Sequence, residues 1–263
     1  MQITIYHIDA FTNNLFAGNP AAVCILEEWL TDTEMRIIAM ENYLPATAFL
    51  VRKNNEFHVR WFAPEYEIEL CGHGSLASAY VIFNILEPTW QQAELHYPAG
   101  LLKIKNENGL LTLDFPAKNY GILPSPDLLI KGLGAQPIEV YQYKTERCLA
   151  IFETEDEVRN LNPDIQLLKE LDHPGIIVTA PGINYDFISR TFYPRKSVYE
   201  DAVTGASHCL LIPYWSNHLN KTKLLAHQAS KRGGELLCEY QGERVLISGK
   251  AIMYMQGIIN YTI

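Results

Sequence analysis

No apolar run in this sequence is long enough to span a bilayer, and no two of its five cysteines form a C-x-x-C pair or stand at zinc-like spacing. The first absence argues against a transmembrane helix. The second argues against a disulfide framework or a structural zinc site, and an odd number of reduced thiols fits a cytosolic protein. Residues Met1 to Tyr6 alternate like a strand and lack the charged start, apolar stretch and cleavage site of a signal peptide, so a cytoplasmic location is expected. Neither G-x-G-x-x-G after a strand nor G-x-x-x-x-G-K-[ST] occurs, and G-x-S-x-G is missing too. Basic residues are outnumbered 21 to 30 and scattered, for a net charge of −9, which argues against nucleic acid and anionic membrane as partners. His7, His58 and His96 fall on separate predicted strands without a second ligand at metal spacing, so no metal is expected. A small anion would have to be held by local donors.

What the chain does contain, it contains twice. Arg60-Trp61-Phe62-Ala63-Pro64 is followed by Cys71-Gly72-His73-Gly74 and an apolar run; Arg190-Thr191-Phe192-Tyr193-Pro194 is followed by Glu200-Asp201-Ala202-Val203-Thr204-Gly205-Ala206-Ser207 and another. Each copy reads as a strand, a proline-marked loop and a glycine at the entrance to a buried helix. A duplicated junction of this kind implies two similar lobes with a ligand site between them. Backbone N–H groups at two helix starts suit a carboxylate or phosphate. The 263 residues, 48% hydrophobic and 19% charged, suffice for a core in each lobe.

The expected fold class is α+β, with two strand-rich barrels or rolls, each around one apolar helix. Strands are predicted at 2–8 and 21–26, and a helix over 31–42 opened by the capping-box pair Thr31 and Glu34. Further strands are expected at 47–52, 57–62, 93–97, 101–105 and 110–115. The run from Leu76 to Leu86 is apolar nearly all round and must be covered on every side. The stretch from Phe115 to Asp127 reads as the linker, dividing lobes 1–117 and 118–263. The second lobe is expected to carry strands near 137–142, 148–152, 176–179, 186–192, 224–229, 234–240, 244–248 and 251–256, with helices near 164–171 and after Gly205. Pro213 either interrupts that last helix or marks its end.

His73, between two glycines at a helix entrance, reads either as a proton donor or acceptor or as a histidine capping the loop; the repeat favours the first. Asp201 and Glu200 precede the second glycine and read as acid–base groups or as a helix cap. Cys71 is either a thiol activated by the helix start or a small buried hydrophobe. His208 reads as a satisfied buried histidine, and Lys231-Arg232-Gly233-Gly234 as a solvated turn that could also close over an anion.

Asp9-Ala10-Phe11-Thr12, Phe16-Ala17-Gly18-Asn19-Pro20-Ala21-Ala22-Val23, Thr47-Ala48-Phe49, Arg60 to Pro64, Cys71 to Gly74 and Glu200 to Gly205 together resemble the PhzF-like phenazine-biosynthesis family across essentially the whole chain. The resemblance implies a diaminopimelate epimerase-like fold of two pseudo-symmetric lobes and a homodimeric, cofactor-independent isomerase acting on a small carboxylate-bearing substrate. It also implies that His73 and Asp201 are the acid–base residues. Asn19, Gly72, Gly74, Gly205, Ala206 and Ser207 then contact substrate. Two departures stand out. The family reads Ser-Glu-Thr-Ala-Phe where this chain has Pro45-Ala46-Thr47-Ala48-Phe49, so the proton-carrying glutamate is replaced by Ala46. The family's Ser-Ala-His is here Ala206-Ser207-His208, which shifts the hydroxyl by one position. The expected function is therefore a proton-transferring isomerase with impaired activity, or else a non-catalytic small-acid-binding protein on the same fold.

Overall fold

The computed structural model describes residues 1–261. The chain divides into two compact units, one of Met1–Phe115 with the segment that begins at Leu246, the other of Pro116–Val245. The sequence reading assigned 246–263 to the second lobe. The structure gives its described part, 246–261, to the first, because strand Ala251–Asn260 pairs antiparallel along the whole of the first strand, Gln2–Ala10, from Gln2 opposite Asn260 to Ala10 opposite Ala251. A strand's partner is set by matching register and face, which nothing local in the C-terminal sequence reveals.

In the first unit the order is β1 (Gln2–Ala10), β2 (Asn19–Leu26), α1 (Asp32–Asn42), β3 (Ala46–Lys53), β4 (Glu56–Phe62), β5 (Glu67–Ile68), α2 (Gly72–Val81), β6 (Gln92–Tyr97), β7 (Gly100–Glu107) and β8 (Leu110–Pro116). The second unit holds β9 (Gly121–Ile122), α3 (Asp127–Leu133), β10 (Glu139–Tyr143), β11 (Arg147–Ile151), α4 (Glu155–Asn160), α5 (Ile165–Leu168), β12 (Gly175–Pro181), β13 (Phe187–Phe192), β14 (Glu200–Asp201), α6 (Gly205–Leu219), β15 (Lys223–Gln228) and β16 (Gly234–Gln241). β17 (Arg244–Gly249) and β18 (Ala251–Asn260) lead back to the first.

The two units repeat one pairing scheme. β2 runs parallel to β3, β3 antiparallel to β4, β4 parallel to β6, and β6 antiparallel to β7. In the second unit β11, β12, β13, β15 and β16 repeat those four pairings in the same sequence. Even the crossovers between the parallel strands start alike, since Thr31 with Glu34 and Thr154 with Glu157 each form a reciprocal capping box. Each lobe wraps its sheet around one apolar helix. α2 contacts β1, β2, β3 and β18, with Leu76, Ala77, Ala79 and Val81 fully buried. Its small residues let the strands approach on all sides, and it ends in a π-helical turn over Ile82–Leu86.

α6 runs through Pro213 without ending. A proline inside a helix leaves the carbonyl four residues back without its N–H partner. Here that carbonyl, on Cys209, accepts from the Lys118 backbone N–H at 2.9 Å. The linker thus supplies the missing donor, from a distance in sequence that local pattern cannot register. The predicted helix over 164–171 shortens to α5, while α3 and α4 were not anticipated.

Between β1 and β2 the chain turns back through Phe11 and Phe16, both with positive φ, and the buried Asp9 carboxylate accepts from the Phe16 N–H at 3.0 Å. Gly18 sits at φ +65°, and any side chain there would run into the Ala10 carbonyl oxygen and the Thr12 methyl. Gly109 has φ +84° with nothing within 4 Å. Gly18→Ala is therefore expected to cost about 2–4 kcal/mol, combining backbone strain with steric displacement, against about 1 kcal/mol for Gly109→Ala. Urea unfolding of both variants checks this; equal losses would show that the close approach at Gly18 is not what matters.

Candidate active site

The helix starts are positioned by an arginine clamp that occurs once in each unit. Arg60 on β4 grips Glu67 on β5 through two hydrogen bonds of 2.7 and 2.6 Å, and Arg190 on β13 grips Glu200 on β14 at 2.7 and 3.1 Å. Trp61 and Phe62 pair with Ile68 and Glu67, as Thr191 and Phe192 pair with Asp201 and Glu200. Each guanidinium also reaches the crossover: Arg60 meets Asp32 on α1 at 2.8 Å, and Arg190 donates to the Leu161 carbonyl at 2.7 Å. The short return strand is thereby locked a few residues before the helix begins.

At the first helix start the N-cap is Cys71, whose side chain makes no capping bond. Its Sγ lies 3.6 Å from Nδ1 and 3.8 Å from Nε2 of His73, so thiol and imidazole face each other at the mouth of α2. His73 is buried along with Gly72 and Gly74. Gly74 is required by packing: a Cβ there would stand 2.7 Å from the Trp61 ring. The Cys71 carbonyl accepts from the Ser75 hydroxyl at 2.6 Å. Asn19 is buried where β2 begins, opposite Ala10. Ala46 is the first residue of β3, fully buried opposite Ala21. The neighbouring Thr47 accepts from Asn42 Nδ2 at 3.2 Å.

The second helix start has Thr204 as N-cap, again without a capping bond from its side chain. The Thr204 hydroxyl donates to the Asp201 carboxylate at 2.7 Å and accepts from Gln228 Nε2 at 3.1 Å. Gln228 is fully buried, accepts the Thr204 N–H at 2.8 Å and donates to the Asp201 carbonyl at 2.8 Å. One amide therefore fixes both the strand end and the helix start. It lies at the end of β15, where the sequence pattern is that of an ordinary strand. Gly205 and Ser207 are buried and Ala206 is half-buried. The Ser207 hydroxyl accepts from Thr191 at 3.2 Å, so the shifted hydroxyl is held against the sheet.

Matching the clamps aligns Cys71 with Thr204, Gly72 with Gly205, His73 with Ala206 and Ile68 with Asp201. Asp201 and Glu200 precede the second glycine, as the sequence reading has it. The register puts Asp201 on the return strand, so the two lobes carry their acid–base candidates at different positions of one frame. Of the other acids near residue 46, Glu67 is committed to Arg60, and Glu41 is exposed on α1.

His208 sits one turn into α6, fully buried, with Nδ1 donating to the Thr204 carbonyl at 2.8 Å and no partner at Nε2. Among the described residues no three His, Cys, Asp or Glu side chains are arranged to hold a metal ion, and no helix is long and apolar enough to cross a membrane. A surface groove of about 590 Å³ touches Glu56, Trp90, Gln92 and Lys105; none of the predicted site residues lines it.

The profile of the phenazine biosynthesis-like proteins matches residues 8–257. The chain belongs to this PhzF family. It is 43% identical over 259 residues to a Pseudomonas aeruginosa protein named as an uncharacterized isomerase, covering 98% of this chain and 99% of that one. A PhzF-family crystal structure from Enterococcus faecalis superposes with a TM-score of 0.95 at 40% identity, covering 99% and 100% of the two chains. A predicted epimerase from Pseudomonas aeruginosa shares the fold at 16% identity, with a TM-score of 0.75 and coverage of 99% and 100%. The PhzF relatives named as isomerases support an isomerase-like function.

Burial pulls the His208 imidazole down to about 4 from an ordinary 6.5, opposed by its bond to the Thr204 carbonyl. A depressed histidine favours the neutral folded form, so its contribution is complete above pH 6.5 and is lost as pH falls toward 4. About 3 kcal/mol of stability should disappear across that window on this account. In His208→Gln the fall between pH 6.5 and 4 should be shallower by a similar amount, read by denaturant unfolding at several pH values. An unchanged slope would assign the acid sensitivity to other groups.

Proposed function

We propose that the protein is a cofactor-independent, PhzF-like isomerase lineage member that moves a proton at carbon on a small carboxylate-bearing substrate, with turnover limited by the alanine at 46. The observation that carries this reading is the association of one acid–base group with each helix start: His73 against the Cys71 thiol, and Asp201 bonded to the N-cap hydroxyl of Thr204. In each unit the amides at the helix start, Gly72 in one and Gly205 with Ala206 in the other, are N–H donors of the kind that suits a substrate carboxylate, reinforced by the helix dipole. His73 and Asp201 are each of a residue type that holds or exchanges a proton, and neither role calls for a cofactor.

Ala46 favours the second reading, a binding protein that retains the fold. A methyl group cannot carry a proton, and loss of a positioned general base costs about 10²–10⁴-fold in rate. Because Ala46 is fully buried, a glutamate there would be desolvated and its pKa raised toward the range useful in catalysis. Ala46→Glu, alone and with Ala206→Ser, should gain solvent-deuterium incorporation into candidate acids by at least tenfold, while Ala46→Gln, equal in size but unable to carry the proton, should not. Robust exchange in the unmodified protein, abolished by Cys71→Ser or Glu41→Gln, would place the base elsewhere.

The homodimer is also proposed. Tyr254, Met255 and Ile258 on β18 are exposed, and Tyr254 lies against Phe16 and His7, forming an apolar strip on the first lobe. Light scattering should give twice the mass of one chain and a shift toward monomer in Tyr254→Glu; a monomeric parent protein would contradict it.

A further inference from the structure

The second lobe carries a half-buried arginine that its clamp does not use. Arg147 opens β11, and its guanidinium carbon stands 5.1 Å from the centroid of the Tyr193 ring. The Lys196 ammonium lies 4.0 Å from the same centroid. Arg147 Nη1 donates to the Glu146 carbonyl at 2.9 Å, and among the described residues no carboxylate lies within ion-pair distance of the guanidinium. Arg60 and Arg190, by contrast, each hold a carboxylate by two bonds. The Tyr193 hydroxyl is hydrogen-bonded to Arg147 as well, so the partners of this half-buried guanidinium are a carbonyl, a phenol and a ring face, and none of them is an anion.

The backbone is shaped to admit it. Gly175, opposite Arg147 in the parallel pair, does not have a positive φ, so its conformation does not call for glycine. Space does: a Cβ there would meet Arg147 Cδ at 2.7 Å, its Nε at 3.0 Å and the Tyr193 ring at 3.1 Å. Register identifies the position. Thr47 opposes Phe62 as Ile176 opposes Phe192, so Gly175 is the counterpart of Ala46 and Arg147 of Ala21. Where the first lobe has two alanines, the second has a cation lying over a glycine and against a tyrosine. Tyr193 also links the cation to the helix start. Burial is the main cause raising its hydroxyl above the usual range, Arg147 opposes the shift and Asp201 adds to it.

We infer that Arg147, given room by Gly175 and backed by Tyr193, recognises a second carboxylate on the substrate, which makes the substrate class a dicarboxylic acid. This rests on the reading above in which the helix-start amides hold the first carboxylate. The guanidinium fork matches a carboxylate edge in two bonds. Only the second lobe carries this cation at that register position, so the carboxylate held by Arg147 is told apart from the one at the helix start.

Calorimetric titration of the full-length protein with benzoate and with the three benzenedicarboxylates tests this. The expected result is that one dicarboxylate binds about tenfold tighter than benzoate, a gap typical of one charge-assisted pair. Arg147→Gln should erase that preference and leave benzoate affinity within about twofold on the same grounds, and Arg147→Lys, which keeps charge but not the fork, should fall between. Gly175→Ala should weaken dicarboxylate binding without touching a charge. Benzoate binding with no dicarboxylate preference, or a preference that persists in Arg147→Gln, would overturn the inference and leave acid binding at the helix starts intact. Failure of every acid to bind the unmodified protein would overturn both.

Discussion

The structure depends on one ion pair made twice. In each lobe an arginine on a core strand grips a glutamate on a two-residue return strand and also ties down the crossover segment. Arg60 joins Glu67 and Asp32; Arg190 joins Glu200 and the Leu161 carbonyl. These are bidentate, partly buried contacts, in which geometry is fixed as well as energy gained. The return strand leads within a few residues to an N-cap, so the clamp decides where each helix start and its amides point. Loss of either pair would free the loop that carries Glu69 and Leu70 in one lobe or Ala202 and Val203 in the other, and with it the helix start that follows.

With the frame fixed, the two copies are free to differ in what they hang on it. Cys71 and His73 occupy the positions of Thr204 and Ala206. Gly74 packs on Trp61 where Ser207 bonds to Thr191. Ser75 and His208 both cap the carbonyl of their own N-cap residue. Such a pattern follows naturally from duplication: the residues that hold the strands together stay matched, and those at the helix starts diverge. Ala46 and Gly175 occupy the same register position and differ in what lies over them, Ala21 in one lobe and Arg147 in the other.

Much of this was legible in the chain itself because the signals are local. The Arg-x-Phe-x-Pro segments, the capping box at Thr31 and the glycines before two apolar runs each sit within a few residues of the element they specify. The boundary of the lobes was legible only on one side. Strand β18 returns to β1 through pairings between residues about 250 apart, and no composition change marks it. Pro213 reads as a helix breaker until Lys118 is seen to satisfy the carbonyl it orphans. Gln228 looks like any strand-end glutamine, yet it bonds both Asp201 and Thr204. These three depend on partners supplied by tertiary structure, which sequence spacing does not encode.

The central claim is that amides at a helix start of this frame are where a small acid binds. A crystal structure of the protein with a small aromatic acid tests it most directly. The account predicts carboxylate oxygens within about 3 Å of backbone N–H groups at Gly72, Gly205 or Ala206. An acid bound only in the groove beside Trp90 and Gln92, with the helix-start amides facing water, would contradict it.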